Sequence, residues 1–191
     1  MKGISEIMRI RLEELEGGKL DLEFSETPES FPVLQEMADS GVCRFLTPVK
    51  AALRVQQIGD MVELEGSIAT RVRLDCGRCL GSFEMPIESK FALTYCQRAP
   101  ATEKRGPNQE ALELTAEDMA LIHYQGEEIN LENEIQEQVV MAFPIRPLCR
   151  PACRGMCPRC GADLNAAICD CDRSPSGGQF DALKKLDLKK E

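Results

Sequence analysis

Six cysteines fall between Cys149 and Cys171 of this 191-residue chain, and their spacing is that of metal ligands. Cys157-Pro158-Arg159-Cys160-Gly161 sets two thiols three residues apart and follows them with a glycine. Glycine takes the positive φ that tightens such a turn, so both sulfurs face one centre. After a short return loop, Cys169-Asp170-Cys171 offers a second close pair. Cys157, Cys160, Cys169 and Cys171 are therefore expected to form a closed tetrahedral site for structural Zn2+. Thiolates in this number also suit an iron–sulfur cluster, which stands as the other metal reading.

A second pair, Cys76-Gly77-Arg78-Cys79, sits where two β-runs meet and needs two further ligands. Cys149 and Cys153 are the candidates. One metal per chain, with the remaining cysteines as thiols or packing, is the simpler expectation. A second four-cysteine site of Cys76, Cys79, Cys149 and Cys153 is the alternative. It would clip the tail onto the body and account for the short, proline-stiffened linker Phe143–Leu148. Cys43 and Cys96 stand alone in apolar or strand-like surroundings and read as small core fillers. His123, the only histidine, lies in an apolar run and is expected to be half-buried and hydrogen-bonded rather than a ligand or base.

Disulfides and redox chemistry compete for the same cysteines. Residues 1–20 carry Lys2, Glu6, Arg9, Arg11, Glu13, Glu14, Glu16 and Lys19, which is not the apolar core of a secretion signal. A cytoplasmic location follows as an expectation, and there clustered cysteines bind metal more often than they form disulfides. A thioredoxin-type site needs its Cys-x-x-Cys between a strand and a helix, and nothing around Cys157 reads that way. A thiol-redox or metal-handling protein using the cysteine pairs is the alternative function.

The elements that must position these groups are mostly strands. Val49, Ala51, Leu53 and Val55 alternate with polar residues, and Gly59-Asp60 breaks the run as a hairpin turn. Val62, Leu64, Ile68, Val72 and Leu74 continue on one face of a long strand. The chain returns through Phe83, Met85, Ile87, Phe91, Leu93 and Tyr95. This predicts a bent or barrel-like antiparallel meander, with Cys76 and Cys79 at a hairpin tip. Two further strands are expected within residues 4–24, joined at Gly17-Gly18, and another over Met119–Tyr124. A short helix is expected over Phe31–Met37. The main helix runs from Leu131 to about Ala142, capped by Asn130, with Leu131, Ile135, Gln138, Val139 and Ala142 inward and Glu132, Glu134 and Glu137 outward. Residues 97–112 read as a polar surface loop, 172–178 as a connector, and Phe180–Leu186 as a short amphipathic helix. The expected class is α+β, with one main helix on the sheet. A body spans residues 1–142 and a C-terminal zinc module with a short basic helix spans 143–191.

Hydrophobic residues make up 43% of the chain, enough for a core, while no apolar run approaches the roughly 20 residues that span a bilayer. No membrane partner is expected. Net charge is −9, unevenly spread. Residues 143–191 hold nine Lys/Arg against six Asp/Glu, whereas residues 1–142 hold 14 against 26. A basic tail on an acidic body places any nucleic-acid contact on the tail. Arg146, Arg150, Arg154, Arg159, Lys184 and Lys185 are the candidate phosphate contacts. The sequence contains no Gly-rich phosphate loop, no Gly-x-Ser-x-Gly and no His-Glu-x-x-His, so a non-enzyme is expected.

The order of motifs resembles the YceD family of large ribosomal RNA subunit accumulation proteins. The residues that carry the resemblance begin with Cys76, Arg78, Cys79 and Leu80, then Ile129 to Ile135, Pro144 and Pro147. They continue with Cys149, Cys153, Gly155, Cys157, Cys160, Gly161, Leu164, Asn165, Cys169 and Cys171, and close with Phe180, Leu183 and Leu186. The stretch Ser176-Gly177-Gly178-Gln179-Phe180 departs from the family's Asp-Pro-Arg-aromatic closing motif. The resemblance implies a bacterial or plastid factor for accumulation of large-subunit ribosomal RNA. Its partners would be ribosomal RNA, a pre-ribosomal particle or a ribosomal protein, with zinc in a stabilising role.

Overall fold

The computed structural model of the protein describes residues 8–15, 18–97 and 121–171. Its framework is the hairpin of β5 (Met61–Asp75) and β6 (Ser82–Gln97), paired antiparallel from Met61 opposite Cys96 to Asp75 opposite Ser82. Strands of this length would run roughly 50 Å if straight. The sheet instead curls into a half-barrel. Alternation explains the curl's inner face: Val62, Leu64, Ile68, Val72 and Leu74 are buried, while Glu65, Arg71, Arg73 and Asp75 between them are exposed. Gly66 lies between Leu53 and Phe91 in register. A Cβ there would fall 2.5 Å from Phe91 Cζ, so the Phe91 ring occupies the space a side chain would need.

β4 (Val49–Ile58) joins β5 through the turn at Gly59, whose φ is +64°. β2 (Lys19–Glu26) pairs with β4, and β3 (Arg44–Phe45) pairs with the far end of β5. β7 (Leu121–Tyr124) adds to β6, while β1 (Arg9–Arg11) and β8 (Glu128–Asn130) form a separate two-stranded sheet. Helices α1 (Pro32–Asp39) and α2 (Glu132–Met141) pack on the core. From α1 come Leu34 and, at its start, Phe31; from α2 come Leu131, Ile135 and Val139, all essentially inaccessible to water. Burying each such side chain is worth about 1.5–3 kcal/mol. Gln136, also buried, accepts a hydrogen bond from Val33 N at 3.2 Å and so ties the helices together.

The antiparallel meander holds for β4, β5 and β6, but the sheet as a whole is mixed. β7 runs parallel to β6, with Cys96 beside His123. Parallel neighbours need a long crossover, and 23 residues separate these two strands. The short helix expected over Phe31–Met37 forms as α1 and packs beside the main helix α2, which itself lies on β5 and β6. The N-terminal strands do not pair with each other: β1 takes β8 and β2 takes β4 as partner, with a 3-10 turn (Leu12–Leu15) between them. In α2, Asn130 Oδ1 does accept from Glu132 N at 3.0 Å. Gln136 rather than Gln138 turns inward, however, and Glu134 is half-buried rather than outward. His123 is exposed rather than half-buried, though hydrogen-bonded to Cys96, and Cys96 is only partly covered rather than a core filler, whereas Cys43 is buried. Of the loop expected over 97–112, Gln97 ends β6; Ile4, Ile7, Gly17, residues 98–112, Met119, the connector 172–178 and the segment 180–186 lie outside the described residues.

Candidate metal centre

The β5–β6 hairpin narrows at Asp75, where Ser82 Oγ donates to Asp75 Oδ1 at 2.6 Å. The turn beyond it is closed by two hydrogen bonds: Cys76 N to Gly81 O at 3.0 Å and Leu80 N to Cys76 O at 2.9 Å. Leu80 sits at φ +56°, in the left-handed region, which lets Cys76 and Cys79 face the same side. Gly77 N donates to Pro147 O at 2.8 Å, which brings the segment after α2 against the hairpin tip. Cys149 and Cys153 follow immediately.

The four sulfurs of Cys76, Cys79, Cys149 and Cys153 lie within 4.8 Å of one another. Cys76 and Cys153 are 3.7 Å apart, and Cys79 and Cys149 are 3.8 Å apart. A tetrahedron with metal–sulfur bonds of about 2.3 Å has edges of about 3.8 Å. The cluster therefore fits one tetrahedral ion. Arg78 fastens it: its Nη1 donates to Cys153 O at 2.9 Å and Pro151 O at 3.4 Å, and its N donates to Cys76 Sγ at 3.5 Å. Gly155, at φ +75°, approaches so closely that a Cβ would lie 3.0 Å from Arg78 O. Only glycine suits that contact.

A second cluster follows. Cys157 N donates to Ala162 O at 2.8 Å and Gly161 N to Cys157 O at 2.9 Å, with Gly161 at φ +72°. The sulfurs of Cys157, Cys160, Cys169 and Cys171 also lie within 4.8 Å of one another. Asn165, from the loop between Cys160 and Cys169, joins the two clusters. Its Nδ2 donates to Cys153 Sγ at 3.5 Å, while its Oδ1 accepts from Arg154 N and Arg150 Nη2, both at 2.9 Å.

Charge explains why such clusters want a cation. Backbone N–H groups of Cys149 and Cys79 pull the Cys76 thiol down to about 6. Burial and the neighbouring thiols push Cys149 up to about 12. Burial raises Cys153, but hydrogen bonds from Asn165 and the Gly155 N–H outweigh it and leave this thiol below its ordinary value. In the second cluster the N–H groups of Cys160 and Arg159 bring Cys157 to about 6, whereas the hydrogen bond with Cys160 and burial drive Cys171 to about 12. Four thiolates this close cannot all ionise unless a positive ion sits among them.

Both sets of cysteines named from the sequence are thus brought together. Of the candidate phosphate contacts, Arg146, Arg150, Arg154 and Arg159 are exposed, though the Arg150 guanidinium is engaged by Asn165. Lys184 and Lys185 lie outside the described residues. Sequence reasoning named Arg78, Gly155 and Asn165 as carrying the family resemblance but gave them no part in the centres. Their signal was the arginine between Cys76 and Cys79 and the glycine and asparagine around Cys157–Cys160, which spacing alone does not interpret.

Fold and clusters define a class: a curled mixed sheet whose hairpin tip shares a four-sulfur centre with the segment after its last helix, with a second centre following. The chain belongs to the YceD family, Large ribosomal RNA subunit accumulation protein YceD, whose model matches residues 64–187. It is 28% identical over 192 residues to Large ribosomal RNA subunit accumulation protein YCED homolog 1, chloroplastic, of Arabidopsis thaliana, covering 92% of this chain and 60% of that protein. An uncharacterized protein of Mycobacterium tuberculosis (strain ATCC 25618 / H37Rv) is 30% identical over 112 residues, covering 59% of this chain and 49% of that protein. The Zea mays YCED homolog 1 is 23% identical over 143 residues, covering 65% and 49%. The chain spans between half and three-fifths of the length of these relatives. No solved structure matches it. Among the described residues no helix is long and apolar enough to cross a membrane.

Proposed function

We propose that this chain is a non-catalytic factor in biogenesis of the large ribosomal subunit, binding ribosomal RNA or a pre-ribosomal protein, with a structural Zn2+ in each cysteine cluster. Membership of the YceD family, through residues 64–187, carries the reading. Four sulfurs at tetrahedral spacing make a closed site with no position left for substrate, which suits a structural ion, and the all-cysteine donor set suits Zn2+. A cleft of about 610 Å3 beside the hairpin tip is lined by Arg44 and Arg73 but also by Glu29 and Asp75, and its one cysteine, Cys43, has its thiol pushed up by burial.

Arg146, Arg154, Arg159, Lys184 and Lys185 are the proposed phosphate contacts, and Arg150 serves the centre as well. Co-sedimentation of the full chain with large-subunit precursors tests the reading. Association is expected to weaken steeply with salt and to fall when Arg146, Arg159, Lys184 and Lys185 are replaced by Gln. Undiminished association of that variant at low salt would move the interface to the acidic body and a protein partner. Zinc close to two per chain by elemental analysis is expected. Absent zinc with reactive thiols at Cys157 and Cys160 would favour thiol-redox chemistry instead.

A further inference from the structure

We propose that Cys96 and His123 form a reactive thiol site that exchanges with small disulfides, independent of the metal centres. Eight of the ten cysteines lie in the two clusters, and Cys43 is buried. Cys96 differs from all of them. It occupies the outward-facing position next to fully buried Tyr95, is partly exposed, and its Sγ lies 3.0 Å from Nδ1 of His123. The two residues are register partners on β6 and β7, so the backbone ladder holds thiol and imidazole side by side. On the other flank Cys96 faces Met61, itself exposed. A nucleophile within hydrogen-bond reach of a base, on rigid strands and open to solvent, is the arrangement that activates a thiol.

The chemistry needs one co-reactant, a low-molecular-weight disulfide. With His123 carrying its own proton on Nε2, Nδ1 accepts the Cys96 proton. The thiolate sulfur attacks one sulfur of the disulfide and the S–S bond breaks. One half remains on Cys96 as a mixed disulfide; the other leaves as a thiolate and takes the proton from His123. Cys96 is oxidised and the departing half is reduced to a thiol, so the exchange balances, and a reducing thiol reverses it. A mixed disulfide is the natural end point. A peroxide would leave a sulfenic acid that needs a second thiol to capture it, and the turn at Cys76–Cys79 is roughly 45 Å of strand away.

The test uses the zinc-loaded full chain with glutathione disulfide and with cystine at neutral pH, followed by intact mass and peptide mapping. One adduct is expected, on Cys96, reversed by reductant and abolished in Cys96→Ser. His123→Asn is expected to slow it at least about tenfold, the loss of a general base, with an unchanged circular dichroism spectrum. Should His123→Asn fail to fold, the wild-type rate is compared with that of an unfolded peptide containing Cys96, and about tenfold acceleration in the folded chain is again expected. First modification at a cluster cysteine, a His123→Asn rate within about twofold of wild type, or a folded-chain rate equal to the peptide's overturns the proposal.

Discussion

The turn Cys76–Gly81 at the sheet's end and the turn Cys157–Ala162 in the tail close with the same hydrogen bonds. In each, the first cysteine's N–H reaches the carbonyl five residues on, and its carbonyl accepts from the N–H four residues on. In each, that fourth residue is left-handed, yet it is Leu80 in one and Gly161 in the other. The tail turn uses the residue that adopts this conformation at no steric cost. The hairpin turn instead holds a leucine there with its side chain 63% exposed. The hairpin turn can hold it because a 15-pair ladder precedes it and Arg78 and Pro147 brace it, whereas the tail turn is flanked by the single bridge of Met156 and Asp163 and the Leu164 N–H to Gly155 O bond. Metal and local sequence must do more of the folding in the tail than at the hairpin.

The largest effects should come from the ligands. Cys157→Ser or Cys160→Ser is expected to lower zinc from two to one per chain and unravel the tail turn, because structural zinc supplies most of the folding free energy of so small a unit. Cys76→Ser with Cys79→Ser should also remove one zinc while the β4–β5–β6 sheet stays folded. Loss of sheet signal on chelation of the wild type would contradict this contrast.

Asn165→Ala comes next, since it deletes a side chain that reaches from the second cluster's loop to a sulfur of the first. Affinity of the first centre for Co2+, read from its absorption, should fall about tenfold, the usual cost of losing an outer-shell partner. Equal weakening of both centres would mean that Asn165 only holds the loop.

Exchanging the two left-handed residues is the sharper comparison. Gly161→Leu should cost about 1–2 kcal/mol. Leu80→Gly removes similar strain but frees the unfolded chain, so its net change in stability should stay within about 1 kcal/mol. If Leu80→Gly nonetheless weakens co-sedimentation with large-subunit precursors, the exposed leucine is held there for contact.

The smallest effect belongs to the helix that feeds the tail. Burial, and then the charge of Glu137, raise the Glu134 carboxyl above its ordinary value, and among the described residues its Oε2 has no hydrogen-bond partner. A raised carboxyl binds its proton more tightly when folded. It therefore adds stability at low pH and loses that contribution as pH rises through the folded value. Glu134→Gln should stabilise the chain at neutral pH by at most about 1 kcal/mol, after allowance for its partial contact with water. The gain should vanish in acid, as read by thermal melts across pH.

Much of this was written in the sequence because it is local. Alternation from Val49 to Tyr95 fixed which face of three strands is buried, a period-2 pattern that needs no knowledge of neighbours. Cysteine spacing fixed the two turns and the grouping of Cys157 and Cys160 with Cys169 and Cys171, which a short loop joins. Tertiary structure decided what depends on distant residues. Cys76 and Cys153 are 77 positions apart, and only the path from α2 back to the hairpin tip brings them to 3.7 Å. The parallel pairing of β7, and with it the meeting of Cys96 and His123, follows from register between strands. No local propensity encodes that register. Leu80 is the plainest case: sequence preference argues against a left-handed leucine, and the packing around one hairpin tip overrides it.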